Sequence, residues 1–185
     1  AIGGLYMLVA QAALACEKFI DTSVSADTIQ EVYGKILAGK ENLVLTGMPG
    51  CGKTTLLRDI ARKISKHKNV SVVDERGEIF PVCNQKSVFD IKGKCDIMSG
   101  CEKSKGVELV IRTMNPEIVV FDEIQPEKEI ACVKNAVNSG VDIITTVHGR
   151  DIKDVREKIK DVYSIFNTLL IMSDKKEVKE IVCLN

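Results

Sequence analysis

Residues 47–54, Gly47-Met48-Pro49-Gly50-Cys51-Gly52-Lys53-Thr54, fit the pattern G-x-x-x-x-G-K-[ST] without a mismatch. The apolar run 42–46 precedes them. A helical stretch, 54–66, follows, with Leu56, Leu57, Ile60, Ala61 and Ile64 on one face. Strand, glycine-rich loop and helix form the context in which such a match becomes a phosphate site. The glycines let main-chain N–H groups converge on phosphate oxygens, and the helix N-terminus adds partial positive charge. Lys53 supplies a mobile cation for the outer phosphates, the Thr54 hydroxyl a ligand for Mg²⁺, and Thr55 completes the candidate set.

A second signal lies about 70 residues further on, as a Walker B strand does. Ile118-Val119-Val120-Phe121 is a buried-strand run that ends in Asp122-Glu123. Asp122 is placed to hold Mg²⁺ opposite Thr54, and Glu123 to orient and deprotonate a water. A small-molecule kinase must keep water from the γ-phosphate, so this Glu favours a hydrolase. The chain has no Asn-Lys-x-Asp guanine-reading element, which makes ATP the expected nucleotide.

Between and beyond these motifs, strands and helices alternate. Helices are predicted over 25–40, 105–114, 126–140 and 151–163, and strands over 69–74, 117–121 and 141–147. A hairpin is expected from 167–172 and 177–184, while 75–101 reads as irregular. Such alternation predicts a mainly parallel sheet with helices on both faces and the site at the strands' C-terminal ends.

Two other strand ends carry polar groups, Asp74-Glu75-Arg76 and Thr145-Thr146-Val147-His148. Arg76 is a candidate to neutralise transition-state charge, in its own site or a neighbour's, and His148 a candidate γ-phosphate sensor. The bland readings are surface ion pairs and a loop histidine. The run 94–105, with Lys94, Lys103 and Lys105, reads as a solvated loop or a nucleic-acid contact. Arg112 either faces a subunit junction or caps its helix.

Composition narrows the field. The chain has 185 residues, enough for one domain, and 26 basic against 26 acidic residues. That balance and an aromatic content of 4% argue against a polyanion-binding surface. The seven cysteines are scattered and include no C-x-x-C pair, which favours reduced thiols over zinc. Cys51, inside the loop, is the one whose oxidation would matter. The apolar opening, 1–16, is shorter than the roughly 20 residues of a membrane-spanning helix. Residues 1–24 are expected to form a helical segment that packs on the body or a partner, and 25–185 the phosphate-loop domain.

The same residues resemble a known family. Thr54-Thr55-Leu56-Leu57-Arg58-Asp59-Ile60-Ala61-Arg62 is similar to the stage III sporulation protein AA family. So are Val72-Val73-Asp74-Glu75-Arg76-Gly77-Glu78-Ile79 and Asp96-Ile97-Met98-Ser99-Gly100-Cys101 with Lys103. The likeness continues through Ile111-Arg112-Thr113-Met114-Asn115-Pro116, Asp122-Glu123-Ile124 and His148-Gly149. Gln125 stands where that family typically has Gly.

That family is similar to type II and type IV secretion and pilus ATPases, ring-forming members of the RecA/AAA-like class. The resemblance implies a three-layer P-loop NTPase with an additional strand and a catalytic Glu. It implies an Mg²⁺-dependent ATPase in a homo-oligomeric ring, perhaps a hexamer, at a membrane channel between mother cell and forespore. It would be cytoplasmic and peripheral, bound to membrane channel proteins rather than to nucleic acid. Glu75, after Asp74, would belong to the acidic box of secretion ATPases, and His148 to their histidine box. The alternatives are a nucleic-acid-stimulated ATPase and an ATP-dependent assembly switch with little turnover.

Overall fold

The apolar runs become parallel strands because main-chain groups flanked by Val, Ile and Leu on both faces are satisfied only by neighbouring strands. The computed structural model describes residues 26–39, 41–83 and 86–184. In chain order the elements are α1 (Ala26–Ala38), β1 (Leu43–Gly47), α2 (Lys53–Ile64) and β2 (Val70–Asp74). Then come β3 (Val82–Cys83), β4 (Lys86–Ser87), β5 (Cys95–Ser99), α3 (Lys103–Met114), β6 (Ile118–Phe121) and α4 (Pro126–Asn138). The chain continues through β7 (Asp142–His148), α5 (Ile152–Lys158), a 3₁₀ turn (Tyr163–Ile165), β8 (Thr168–Met172) and β9 (Val178–Cys183).

Seven strands form one sheet in the order β5-β2-β6-β7-β1-β8-β9. All neighbouring pairs are parallel except β8 with β9, the antiparallel hairpin at one edge. β7 stands between the phosphate-loop strand β1 and the Asp122-Glu123 strand β6, which is the additional-strand arrangement. Alternation along each strand splits the core in two. Leu43, Leu45, Val70, Val72, Ile118 and Val120 join Ile36, Leu57, Ala61 and Ile64 of α1 and α2. Val44, Val73, Val119 and Phe121 join Val107, Val110, Val133, Ala136 and Val155 of α3, α4 and α5 on the other face. Three layers result, as the sequence predicts.

Differences from the sequence reading have local causes. The stretch 75–101 is not wholly irregular, since Cys95–Ser99 pairs along β2 as an edge strand. Its burial is partial and alternating, so it offers no apolar run to read. The lysine run 94–105 is likewise no loop: β5 occupies part of it, and Lys103 opens α3 as a buried residue. The helix expected over 151–163 stops at Lys158. Ile159, Val162 and Phe166 stay buried, but Asn42 Nδ2 donates to the Ile165 carbonyl at 3.1 Å and draws the chain towards the sheet. The packing helix expected within 1–24, and Cys16, lie outside the described residues. Among the described residues, no helix is long and apolar enough to cross a membrane.

Candidate functional site

The phosphate loop is held open by close packing at its base. A Cβ on Gly47 would stand 2.6 Å from the Cys51 sulfur and 3.1 Å from the Met172 carbonyl oxygen, so only glycine fits. Gly52, at φ 95°, turns the chain into α2 without a side-chain cap, and the first turn of α2 has no acidic residue. The helix N-terminus therefore keeps free N–H groups and uncompensated partial positive charge.

Lys53 is only 7% exposed. Its Nζ donates to the carbonyls of Gly47 at 2.9 Å and Met48 at 3.0 Å, with Cys51 Sγ at 3.9 Å. A desolvated ammonium supported by neutral acceptors, with no carboxylate salt bridge among the described residues, has the chemistry to take an anionic partner.

Asp122 joins the two motifs. Its Oδ2 accepts the Thr54 hydroxyl at 2.7 Å, and its Oδ1 accepts the Thr146 hydroxyl at 2.5 Å and the Glu123 N–H at 3.0 Å. The Glu123 N–H is shared with Thr146 Oγ1 at 2.9 Å. Thr54 and Asp122 put two hard oxygen donors side by side, which fits a Mg²⁺ that takes one or two protein ligands and fills its shell with phosphate and water.

Glu123 has a left-handed backbone, φ 46°, and its carboxylate lies 3.3 Å from His148 Nε2. The His148 Nδ1 is buried and makes no hydrogen bond to the described residues. Lys158 Nζ donates to the His148 carbonyl at 2.8 Å and ties this strand end to α5. A cleft is lined by Pro49, Gly50, Gly52, Lys53, Thr54 and Thr55 on one side. Arg76, Asp122, Glu123, Thr146 and His148 line the other. Gly47 and Cys51 lie buried beneath the loop, and Met48 is exposed.

The acidic strand end divides into two roles. The Asp74 carboxylate is buried and accepts the amides of Glu78 at 2.9 Å, Ile79 at 3.0 Å and Phe80 at 2.8 Å, so it shapes the turn after β2. Arg76, exposed on that turn, faces the cleft. Glu75 instead lines a smaller neighbouring cavity with Arg76, Lys103 and Glu123.

Four residues escape the sequence reading as contributors here. Thr146 was one of two adjacent hydroxyls with nothing to choose between them. Lys103 and Glu129 form a buried pair beneath the Asp122–Gln125 loop, and Lys176, at a hairpin turn, lines the cleft. Their positions depend on contacts between distant segments, and no spacing rule signals them. Arg112 pairs with Glu108 one turn back on α3, at 2.6 Å.

Known proteins resemble the chain in sequence and in fold. The sequence profile of the family described as "Sporulation stage III, protein AA" matches residues 12–184. Stage III sporulation protein AA of Bacillus subtilis (strain 168) is 33% identical over 123 residues, which cover 63% of this chain and 40% of that protein. Among solved structures, the VirB11 ATPase of the Brucella suis type IV secretion system superposes with a TM-score of 0.66 at 13% identity, covering 94% of this chain and 55% of that one. The pilus retraction motor PilT, solved with bound ADP, gives 0.62 at 15% identity, covering 82% and 47%. The chain thus spans about two fifths of the curated relative and about half of each structural neighbour. The fold is that of the secretion and pilus ATPases, and the chain belongs to the stage III sporulation protein AA family.

Proposed function

We propose that the chain is a Mg²⁺-dependent ATPase. The observation that carries this reading is the 2.7 Å contact between Thr54 and Asp122, which brings the lysine loop and the Asp122-Glu123 strand end together across one cleft. The Lys53 ammonium, already desolvated, and the loop amides would hold the β- and γ-phosphates, Lys53 exchanging part of its bonding to the Gly47 and Met48 carbonyls for phosphate oxygens. Thr54 and Asp122 would hold Mg²⁺, which when bound neutralises charge on the phosphate oxygens. Glu123 would orient a water in line with the β–γ bond and take its proton as the water oxygen bonds to phosphorus and ADP leaves with the bridging oxygen. His148, within 3.3 Å of that carboxylate, would register the change in charge, and Arg76 would meet the γ-phosphate side of the cleft.

Family membership and the secretion-ATPase fold support a wider role for the turnover. The chain would act in a homo-oligomeric ring attached to membrane channel proteins, serving a secretion-like assembly in endospore formation. Its oligomeric mass should rise when a slowly hydrolysed ATP analogue is added, and a mass unchanged by nucleotide would remove the ring.

Glu123→Gln tests the chemistry. The variant should bind Mg-ATP as the parent does while releasing phosphate about 100-fold or more slowly. Phosphate release at the parental rate would show that Glu123 does not handle the water.

A further inference from the structure

The loop that carries Glu123 rests on an ion pair that the nucleotide chemistry does not use. Lys103, the first residue of α3, is 8% exposed, and Glu129, in the first turn of α4, is 4% exposed. Their charged atoms stand 3.7 Å apart. Lys103 Nζ donates to the main-chain carbonyl of Glu123, and Glu129 Oε2 accepts the main-chain N–H of Gln125 at 2.5 Å. One pair therefore holds both sides of the turn around Ile124, whose own N–H donates to the Thr146 carbonyl at 2.8 Å.

Burying such a pair is costly, and well-packed apolar residues would stabilise the helix contact as well or better. The Glu129 carboxyl is held above the ordinary carboxylate range, chiefly by burial that Lys103 only partly offsets. A pair poorly tuned for stability, and bonded to main-chain groups on either side of Ile124, calls for another reason to be there. Glu123 supplies one. Its φ of 46° is a conformation that residues with a Cβ avoid unless their surroundings enforce it. Asp122 Oδ1 and Thr146 Oγ1 hold the Glu123 N–H, and the bonds to Glu123 C=O and Gln125 N–H complete those surroundings from the other side.

We propose that Lys103 and Glu129 are positioning residues: their buried pair clamps the Asp122–Gln125 loop and fixes the backbone from which the Glu123 carboxylate addresses the attacking water. The inference rests on the hydrolase reading of Glu123 for its kinetic consequence, though not for its structural one. A mere tie between α3 and α4 would lower stability when cut and leave turnover per folded molecule alone.

The test uses the full chain with Lys103→Met, Lys103→Arg and Glu129→Gln, reading kcat and KM for ATP together with crystal structures. Lys103→Met should lower kcat about 10- to 100-fold, the scale on which a small misplacement of a reacting group acts, with KM within about threefold. Lys103→Arg, which can bridge the same carbonyl and carboxylate, should recover most of that loss. Glu129→Gln, nearly isosteric, should lower kcat less and serves as the kinetic test if Lys103→Met does not fold. Parental kcat in the Met variant, or in the Gln variant where only that one folds, would overturn the clamp.

The crystal structures separate this failure from failure of the hydrolase reading. If the parent releases no phosphate, the ATPase proposal falls, and the Glu123 backbone still decides the clamp. Glu123 should leave the left-handed region in Lys103→Met. If only Glu129→Gln folds, its amide oxygen still accepts the Gln125 N–H but no longer pairs with the ammonium, so Lys103 should turn from the Glu123 carbonyl and the Glu123 φ should shift with it. Glu123 remaining at its parental φ would overturn the proposal whatever the kinetics.

Discussion

The two ends of the parallel sheet are built on opposite terms. At the N-terminal ends of the strands, polar groups are paired. Asn42 Oδ1 accepts the Ile143 N–H at 2.8 Å, Asn42 Nδ2 donates to Ile165, and Asn167 Oδ1 accepts the Asn42 N–H at 2.9 Å. Close by, Glu117 accepts both Lys68 Nζ and the Asn69 N–H at 2.9 Å. At the C-terminal ends, among the described residues, a buried ammonium has only neutral acceptors, an imidazole nitrogen has no partner, and a glutamate is held at positive φ. Satisfied groups stabilise a fold, whereas groups left short of partners are kept for a ligand. The difference supports the proposed site without reference to any motif.

Substitutions at the two ends should therefore separate stability from function. Lys53→Met removes a desolvated charge with no counter-charge among the described residues. ATP affinity should fall about 100-fold or more, as expected for charge-assisted bonds to phosphate, while the melting temperature rises by about 2–5 °C. A variant that binds ATP as the parent does, or that melts well below it, would erase the contrast.

Asn42→Ala should do the reverse. It strands the Ile143 N–H inside the sheet and should cost about 2–4 kcal/mol in chemical denaturation, with KM for ATP unchanged. A loss of ATP affinity in the folded variant would mean that the two ends are coupled.

The smallest effect belongs to Glu117, whose carboxyl is held below the usual range by its bond to Lys68 and then by the Asn69 amide. A depressed folded-state pKa contributes stability above the unfolded value and loses it as pH falls through the folded one. Glu117→Gln should thus melt slightly below the parent at pH 7, by less than about 1 kcal/mol because solvent screens the pair. The gap should close once the pH drops below the ordinary glutamate range. A gap that widened in acid would reverse the assignment.

What could be read from the sequence follows from the same physics. Strands buried on both faces, such as Val70–Asp74 and Ile118–Phe121, are mostly or wholly apolar and announce themselves. The phosphate loop is legible because steric need fixes its glycines and chemistry fixes Lys53 and Thr54. The edge strand Cys95–Ser99 is half-exposed, so its residues carry no such constraint. Asp74 was legible as a polar strand end but not as the acceptor of three amides, since main-chain donors leave no mark in a sequence. Lys103 looked like a solvated charge because its burial is set by the Asp122–Gln125 loop and by Glu129 on another helix. Motifs record direct contact with a ligand, while the residues that aim those motifs are visible only once the chain is folded.

Calorimetric titration with ATP, in the presence of Mg²⁺ and again with the metal chelated, tests the central claim most directly. The account predicts one nucleotide bound per chain with Mg²⁺ and affinity weaker by about tenfold or more without it, because Thr54 and Asp122 would then lose the ion they share with the phosphates. No detectable uptake of ATP with Mg²⁺ present would contradict it.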